Sequence, residues 1–219
     1  MPALSTSGWT HVGSNWVYQM QSAVDYLDNL YIRYTMDNVS GTTLVDEKGN
    51  VNGILNGSPN FIPGVTGNAV ECDSGKNVTF SISSSNIKSI SMWVKVIENI
   101  SSICILGSTG GNNYYPLRYN AITTMAMYIG GGWSNDVTVP DGTLKFYHTV
   151  LNCVDGSNTD LYIDGEKKGT LTKGMCDLGA LGLCNVGPQY YGHVAIDDFR
   201  VYSTLLTDTQ IKQIYYSKQ

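Results

Sequence analysis

The sequence predicts an all-β protein: a sandwich of two antiparallel sheets, with a short C-terminal helix and an N-terminal arm. Three observations predict it. Short alternating apolar segments recur along the chain, separated by clusters of turn residues. Charged residues are 14% of the chain, and Gly 24 and Tyr 15 help to fill their place, whereas ordinary domains carry about a quarter charged residues. One hairpin is spelled out in Leu161-Tyr162-Ile163-Asp164-Gly165-Glu166-Lys167, whose Asp-Gly supplies the positive φ values of a type I′ turn. The length, 219 residues, suits one large all-β domain with its own core.

The elements follow in order. Residues 1–30 form the arm. Met20, Val24, Leu27 and Tyr31 recur at helical spacing, with Ala23 and Leu30 beside them. Residues 19–29 therefore read either as a short amphipathic helix, behind an irregular stretch carrying Trp9 and Trp16, or as a strand and loop packed on the main domain. The main domain spans 31–219. Its alternation opens at Leu30–Met36 and ends at the turn Asp37-Asn38. Asp46-Glu47-Lys48-Gly49-Asn50 is a polar loop, and Pro63–Gly67 is a turn that leads into a strand. Asn77–Ile82 and Ile90–Ile97 are strands; in the second, Met92, Val94 and Val96 share the core face and Trp93 lies on the other. Further strands are predicted at 102–107, 124–129, 146–153, 159–163, 167–171 and 193–202. The longest Gly-rich loops are 107–116 and 129–143. Thr207-Asp208-Thr209-Gln210 is a capping box. Ile211, Ile214 and Tyr215 then give the final helix one apolar face, which closes an end of the sandwich.

Composition excludes several function classes. The net charge is -5 with no basic patch, so no nucleic-acid partner is expected. No stretch reaches the roughly 20 apolar residues of a membrane helix, so no membrane insertion is expected. The first residues have neither a basic nor an apolar leader region, which predicts synthesis in the cytoplasm without export, or a leader already removed. The Asn-x-Ser/Thr triplets at Asn38, Asn77 and Asn99 have no meaning without export. The five cysteines cannot all pair within one chain and contain no C-x-x-C zinc spacing. Cys104, in an apolar run, reads as a buried thiol. Cys176 and Cys184 bracket a loop that an oxidising setting would allow to be bridged.

No catalytic constellation is present. The four glutamates, Glu47, Glu71, Glu98 and Glu166, form no paired-carboxylate motif on alternate strand residues. Asp164 and Glu166 sit on a hairpin tip, there is no Gly-x-Ser-x-Gly elbow, and His11, His148 and His193 are far apart. His148, in a strand, reads as a packed histidine rather than a base. The protein is not expected to be an enzyme.

Four segments, in order, resemble the laminin G-like, concanavalin A-like jelly roll. They are Tyr34–Leu55 with its Asp-x-x-Gly-Asn-like loop, Gly64-Val65-Thr66-Gly67-Asn68-Ala69-Val70, Ile90-Ser91-Met92-Trp93-Val94-Lys95, and the stretch from Tyr147-His148-Thr149-Val150 through the Tyr162–Gly165 hairpin to Ile196-Asp197-Asp198-Phe199-Arg200-Val201-Tyr202. The chain departs from the family where Phe146-Tyr147 replace its usual Trp. The resemblance implies a two-sheet antiparallel jelly-roll β-sandwich that binds rather than catalyses. Joined to the missing leader, it implies a phage or virus structural protein located in the virion, or otherwise an extracellular protein. The expected function is a decoration, fibre or adhesin protein with a lectin-like surface for a glycan or host ligand. Residues 1–30 would join it to other virion proteins, as a homo-oligomer or part of an assembly. The alternatives are a structural capsid protein without a ligand and a glycosidase of the same fold.

Two candidate sites follow. The resemblance implies a structural Ca2+ held by Asp197 or Asp198 with Asp37, and with Asp46 or Asn50 as further donors. Neighbouring strand residues point to opposite faces, so one of the two adjacent acids is expected to face inward or toward a strand end. There it needs a cation or several N–H donors; an Asp–Arg200 or Asp–backbone network is the alternative. For ligand binding, three loops combine aromatics, amides and glycine: Asn112, Asn113, Tyr114 and Tyr115; Trp133, Asn135 and Asp136; and Tyr190 and Tyr191. Aromatic faces stack on sugar C–H groups while Asn and Asp take hydroxyls; a tyrosine that merely covers the core rim is the plainer reading. Trp133, flanked by glycines and polar residues, is the strongest single candidate.

Overall fold

A computed structural model describes residues 9–12, 15–18, 29–73, 75–82, 87–98, 103–108, 115–175, 180–183 and 193–218. The chain begins with β1 (Trp9–Val12) and β2 (Asn15–Tyr18). It continues through β3 (Leu30–Tyr34), β4 (Val39–Ser40), β5 (Thr43–Leu44), β6 (Gly53–Asn56) and β7 (Asn60–Pro63). Next come β8 (Asn68–Cys72), β9 (Asn77–Ser81), β10 (Ser89–Val96), β11 (Ile103–Ser108) and β12 (Tyr115–Ala121). The strands β13 (Thr124–Ile129), β14 (Gly132–Trp133), β15 (Val137–Thr138) and β16 (Tyr147–Cys153) follow. The last are β17 (Thr159–Ile163), β18 (Glu166–Leu171), β19 (Ala180–Leu183) and β20 (Val194–Tyr202), before α1 (Asp208–Tyr216).

Two antiparallel sheets face each other. The back sheet runs β18-β17-β16-β10-β20-β8-β7, with β3 also paired to β20. The front sheet runs β14-β13-β12-β11-β19-β9-β6-β5-β4, with β15 on β13. Between them lies one apolar core, to which alternate residues contribute: Ile90, Met92, Val94 and Val96 from β10, Leu117 and Tyr119 from β12, Met125 and Met127 from β13. Such alternation is what a half-buried strand requires. Tyr34, Phe80 and Phe199 meet in the core with ring centroids 5.3–5.8 Å apart.

The central back-sheet strands β16 and β20 are buried on both faces. The cause is α1, which lays Ile211 and Ile214 on Val150, Tyr162, Tyr202 and Leu30 to form a second apolar cluster on the outside of that sheet. The helix therefore covers the outer face of one sheet as well as following its last strand. Its capping box forms as the sequence predicts: Gln210 N donates to Thr207 Oγ1 and Thr207 N donates to Gln210 Oε1. The Asp164-Gly165 turn has φ values of 52° and 81°, the type I′ geometry its residues predict. Trp93 lies on the outer side of β10 against His148 and Tyr215.

Other expectations change. Residues 9–12 and 15–18, expected to be irregular, pair as two antiparallel strands that join neither large sheet among the described residues; residues 13–14 and 19–28 lie outside the described residues. The loops expected at 107–116 and 129–143 contain the start of β12 and the short strands β14 and β15. Cys72 and Cys153 are disulfide-bonded, while Cys104 is a buried free thiol whose burial pushes its pKa up to about 12. Cys176 and Cys184 lie outside the described residues.

Candidate functional site

The first site is built on the β13–β14 hairpin. Gly130 and Gly131 both have positive φ and form a two-residue turn between Ile129 and Gly132. Their role is to close this turn, which sets Trp133 directly opposite Tyr128. The two rings are 4.7 Å apart, and Tyr115 stands 6.0 Å behind Tyr128. Trp133 is 46% exposed. From below, the Arg118 guanidinium carbon lies 4.2 Å from its ring centroid. Arg118 is outside the core because Leu117 and Tyr119, on either side of it, point in; its neighbour across the ladder is the small Ala126. A cation stacked this way adds about 0.5–2 kcal/mol and fixes the ring's tilt.

The other predicted ligand residues divide. Tyr115 is buried and is not a rim residue. Asn135 ties the two sheets together: its Nδ2 donates to Thr170 O (3.0 Å), its Oδ1 accepts Thr172 N (2.8 Å), and its own N donates to Thr172 Oγ1 (3.2 Å). Asp136 is exposed and accepts Asn120 Nδ2 at 2.6 Å. Asn112, Asn113, Tyr114, Tyr190 and Tyr191 lie outside the described residues. Sequence reasoning missed Arg118, Asn120 and Tyr128. The alternation of Leu117 and Tyr119 was the available signal, since it leaves Arg118 and Asn120 facing out.

The second site surrounds the paired acids in β20. Strands β8 and β3 share one edge of β20, at Val194–Ile196 and Phe199–Tyr202 respectively, so Asp197 and Asp198 fall in the gap between them. The ladder with β10 slips at this point: Ser91 pairs with Arg200, but Trp93 pairs with Asp197. Asp198 takes φ +45°. This bulge corrects the expectation of opposite faces. It inserts an extra residue, so Ile196 and Phe199 enter the core while neither acid does.

Each acid is then occupied differently. Asp198 accepts both guanidinium arms of Arg200, Arg33 Nε at 3.1 Å, and an ion pair from Lys218 at 3.5 Å. Burial pushes its pKa up, but the three cations outweigh burial and hold it at about 2. Beside it, Ser91 Oγ and His148 Nε2 are 2.9 Å apart. Burial, reinforced by the Arg200 charge, pushes the His148 pKa down to about 3, so this histidine is neutral and packed. Asp197 Oδ2 accepts Val65 N (2.8 Å) and Thr66 N (3.1 Å). Its Oδ1 is buried with no partner among the described residues, and burial pushes its pKa up to about 6. Asp37 clasps the same turn from its other side, accepting Asn68 N at 2.8 Å and Nδ2 at 2.9 Å. Asp46 accepts four backbone N–H groups, from Arg33, Lys48, Asn50 and Val51, so it shapes its own loop.

Of the residues implied for calcium, Asp37 and Asp197 thus meet on the 64–68 turn, while Asp198 is matched by cations and Asp46 by amides. No group of three or more His, Cys, Asp or Glu side chains placed to hold a metal occurs among the described residues. The unpartnered Asp197 oxygen is a hard donor of the kind a hard cation takes.

The sequence profile of the concanavalin A-like lectin/glucanases superfamily matches residues 66–212. Among curated proteins no sequence matches. Solved structures share the fold at low identity. Trypanosoma rangeli sialidase superposes with a TM-score of 0.69 at 15% identity over 87% of this chain. The match covers 33% of the sialidase, so this chain spans about a third of its length. Domain 4 of AbnA, a GH43 extracellular arabinanase from Geobacillus stearothermophilus solved with arabinotriose, gives 0.66 at 20% identity over 85% of this chain and 98% of that domain. A receptor binding domain gives 0.65 at 16% identity, covering 89% of this chain and 53% of that one. At these identities the likeness is one of fold.

Proposed function

Because this chain belongs to the concanavalin A-like lectin/glucanases superfamily, we propose that it is a non-enzymatic carbohydrate-binding jelly roll whose ligand stacks on Trp133. The observation that carries this reading is one ring, 46% exposed, with its tilt set by Tyr128 and Arg118. An exposed aromatic face held rigid loses little entropy when a sugar stacks on it. The AbnA domain, which the fold matches over almost its whole length, was solved with arabinotriose; that supports an oligosaccharide as the ligand class. Asp164 and Glu166 have other work, which supports binding over catalysis. Asp164 accepts His148 N and Lys145 Nζ, each at 2.9 Å, and Glu166 pairs with Lys168 at 2.8 Å.

The finer reading is a decoration, fibre or adhesin protein of a virion, or otherwise an extracellular protein. The pair β1 and β2, which joins neither large sheet among the described residues, supports an attachment role for residues 1–30. The bonded Cys72 and Cys153 support an oxidising location. A structural Ca2+ between Asp197, Asp37 and the 64–68 turn belongs to the same proposal, supported by the unpartnered Asp197 oxygen. The test is a glycan array probed with the full chain and with Trp133→Ala. Saturable binding that Trp133→Ala abolishes supports the proposal. Absence of binding at high valency refutes it and favours a structural protein, and turnover of any polysaccharide refutes the non-enzymatic reading.

A further inference from the structure

Of the five cysteines in the chain, Cys104 is free, and Cys72 and Cys153 are each in a disulfide. These two are not joined to each other. In the back sheet Cys72 lies level with Val194 and, through it, with Val96 at the end of β10. Cys153 lies one residue beyond Asn152, which pairs with Ser89 at the start of β10. The two therefore stand at opposite ends of an eight-residue strand, about 23 Å apart along it. A disulfide joins Cα atoms no more than about 7 Å apart. Elimination leaves Cys176 and Cys184 as the partners within the chain.

We infer that the protein carries two disulfides, Cys153–Cys176 and Cys72–Cys184, one at each end of the sandwich. A Cβ placed on Gly174, two residues before Cys176, would meet the carbonyl oxygens of Asp155 and Gly156 at 2.5 Å, and Cys153 Sγ lies 3.3 Å from the same Asp155 oxygen. Lys173 O accepts Thr159 Oγ1 at 2.8 Å, and Thr159 is the ladder partner of Cys153. From Gly174, two residues reach about 7 Å, enough to bring Cys176 to Cys153. At the other end Leu183, one residue before Cys184, pairs with Val78 near the start of β9. That strand follows Cys72 after a turn in which Lys76 N donates to Asp73 O. Cys72 and Cys153 both belong to the core. Cys72–Cys184 thus ties β8 of the back sheet to β19 of the front sheet, and Cys153–Cys176 closes the β17–β18 hairpin onto β16. Glu71, beside Cys72, pairs with His193 at 3.0 Å, so β8 grips the segment that carries Tyr190 and Tyr191 at both of its ends. Each bond forms by exchange with a small disulfide such as oxidised glutathione: two thiols give up two protons and two electrons, and the oxidant leaves as two thiols.

The test is mass mapping of the full chain without reduction. The protein is equilibrated with a mixture of reduced and oxidised glutathione, quenched in acid, alkylated and cut with trypsin. A second proteinase that cleaves before Asp177 then separates Cys176 from Cys184. The expected result is one linked pair of peptides holding Cys153 and Cys176, a second holding Cys72 and Cys184, and alkylation at Cys104. In Cys153→Ser, alkylation should appear at Cys176 while the Cys72–Cys184 pair persists. A Cys72–Cys153 or Cys176–Cys184 link, the exchanged pairing, a link between two chains, or alkylation at all five cysteines of the wild type overturns the inference.

Discussion

Asp197 sets a pH dependence of stability that runs against the usual acid trend. Its carboxyl is 1% exposed, gives one oxygen to two N–H groups and leaves the other unpartnered. Burial raises its pKa from 3.8 to about 6. A carboxyl whose folded pKa lies above its unfolded one resists ionisation in the native state. Its contribution is therefore most favourable below the unfolded pKa and is lost as pH rises through about 6. The gap between 3.8 and about 6, at roughly 1.4 kcal/mol per pK, makes about 3 kcal/mol by pH 7. Asp198 has the opposite sign. Held at about 2, it stabilises above its unfolded pKa and loses that effect as pH falls toward 2. The metal-free protein should therefore be most stable near pH 4. Urea midpoints measured in chelator should rise by up to about 3 kcal/mol of stability from pH 7 to pH 4 and fall below it. Asp197→Asn should be flat over the first interval and keep the fall. A wild-type midpoint constant or falling between pH 7 and pH 5, or a variant that keeps the rise, refutes the reasoning. Added Ca2+ should stabilise wild type at pH 7 by linkage, about 2.7 kcal/mol at a hundredfold excess over Kd, and leave Asp197→Asn unmoved. A melting temperature indifferent to Ca2+ and chelator removes the metal proposal.

Four further outcomes are expected from substitution. Gly67→Ala, at φ +66° with the new Cβ driven into the Asp37 carboxylate, should cost about 2 kcal/mol in urea unfolding. Ile214→Ala empties a buried position between α1 and the back sheet and should cost about 2–5 kcal/mol; a loss under about 1 kcal/mol would show that the helix is not packed there. Asn135→Ala removes the side-chain bonds to Thr170 and Thr172 and should lower stability by about 1–3 kcal/mol, whereas Trp133→Ala, which removes the stacking on Arg118, should cost no more than about 0.5–2 kcal/mol.

What could be read from the sequence was what local chemistry decides. The Thr207–Gln210 cap and the Asp164-Gly165 turn are each settled within four residues, and both form as their residues predict. Strands β10, β16 and β20 were legible because each carries enough alternating or apolar residues to show its period. Strands β4, β5, β14 and β15, two residues each, are too short to carry a period. The bulge at Asp198 was hidden for a different reason. A left-handed aspartate inside a strand is favoured by Arg33, Arg200 and Lys218, and two of those partners are remote in sequence. The same holds for the platform. Trp133 stood out in its glycine-rich loop, but Arg118 reaches it from β12, and no spacing in the chain announces their meeting.

The most direct measurement of the ligand platform is fluorine NMR of the fluorotryptophan-labelled full chain, with the Trp133 resonance assigned by its absence in Trp133→Phe. On titration with a sugar that the array identifies, that resonance should shift and saturate while the signal of Trp93, buried beneath α1, stays in place. A Trp133 resonance that remains still while the sugar binds would contradict the account.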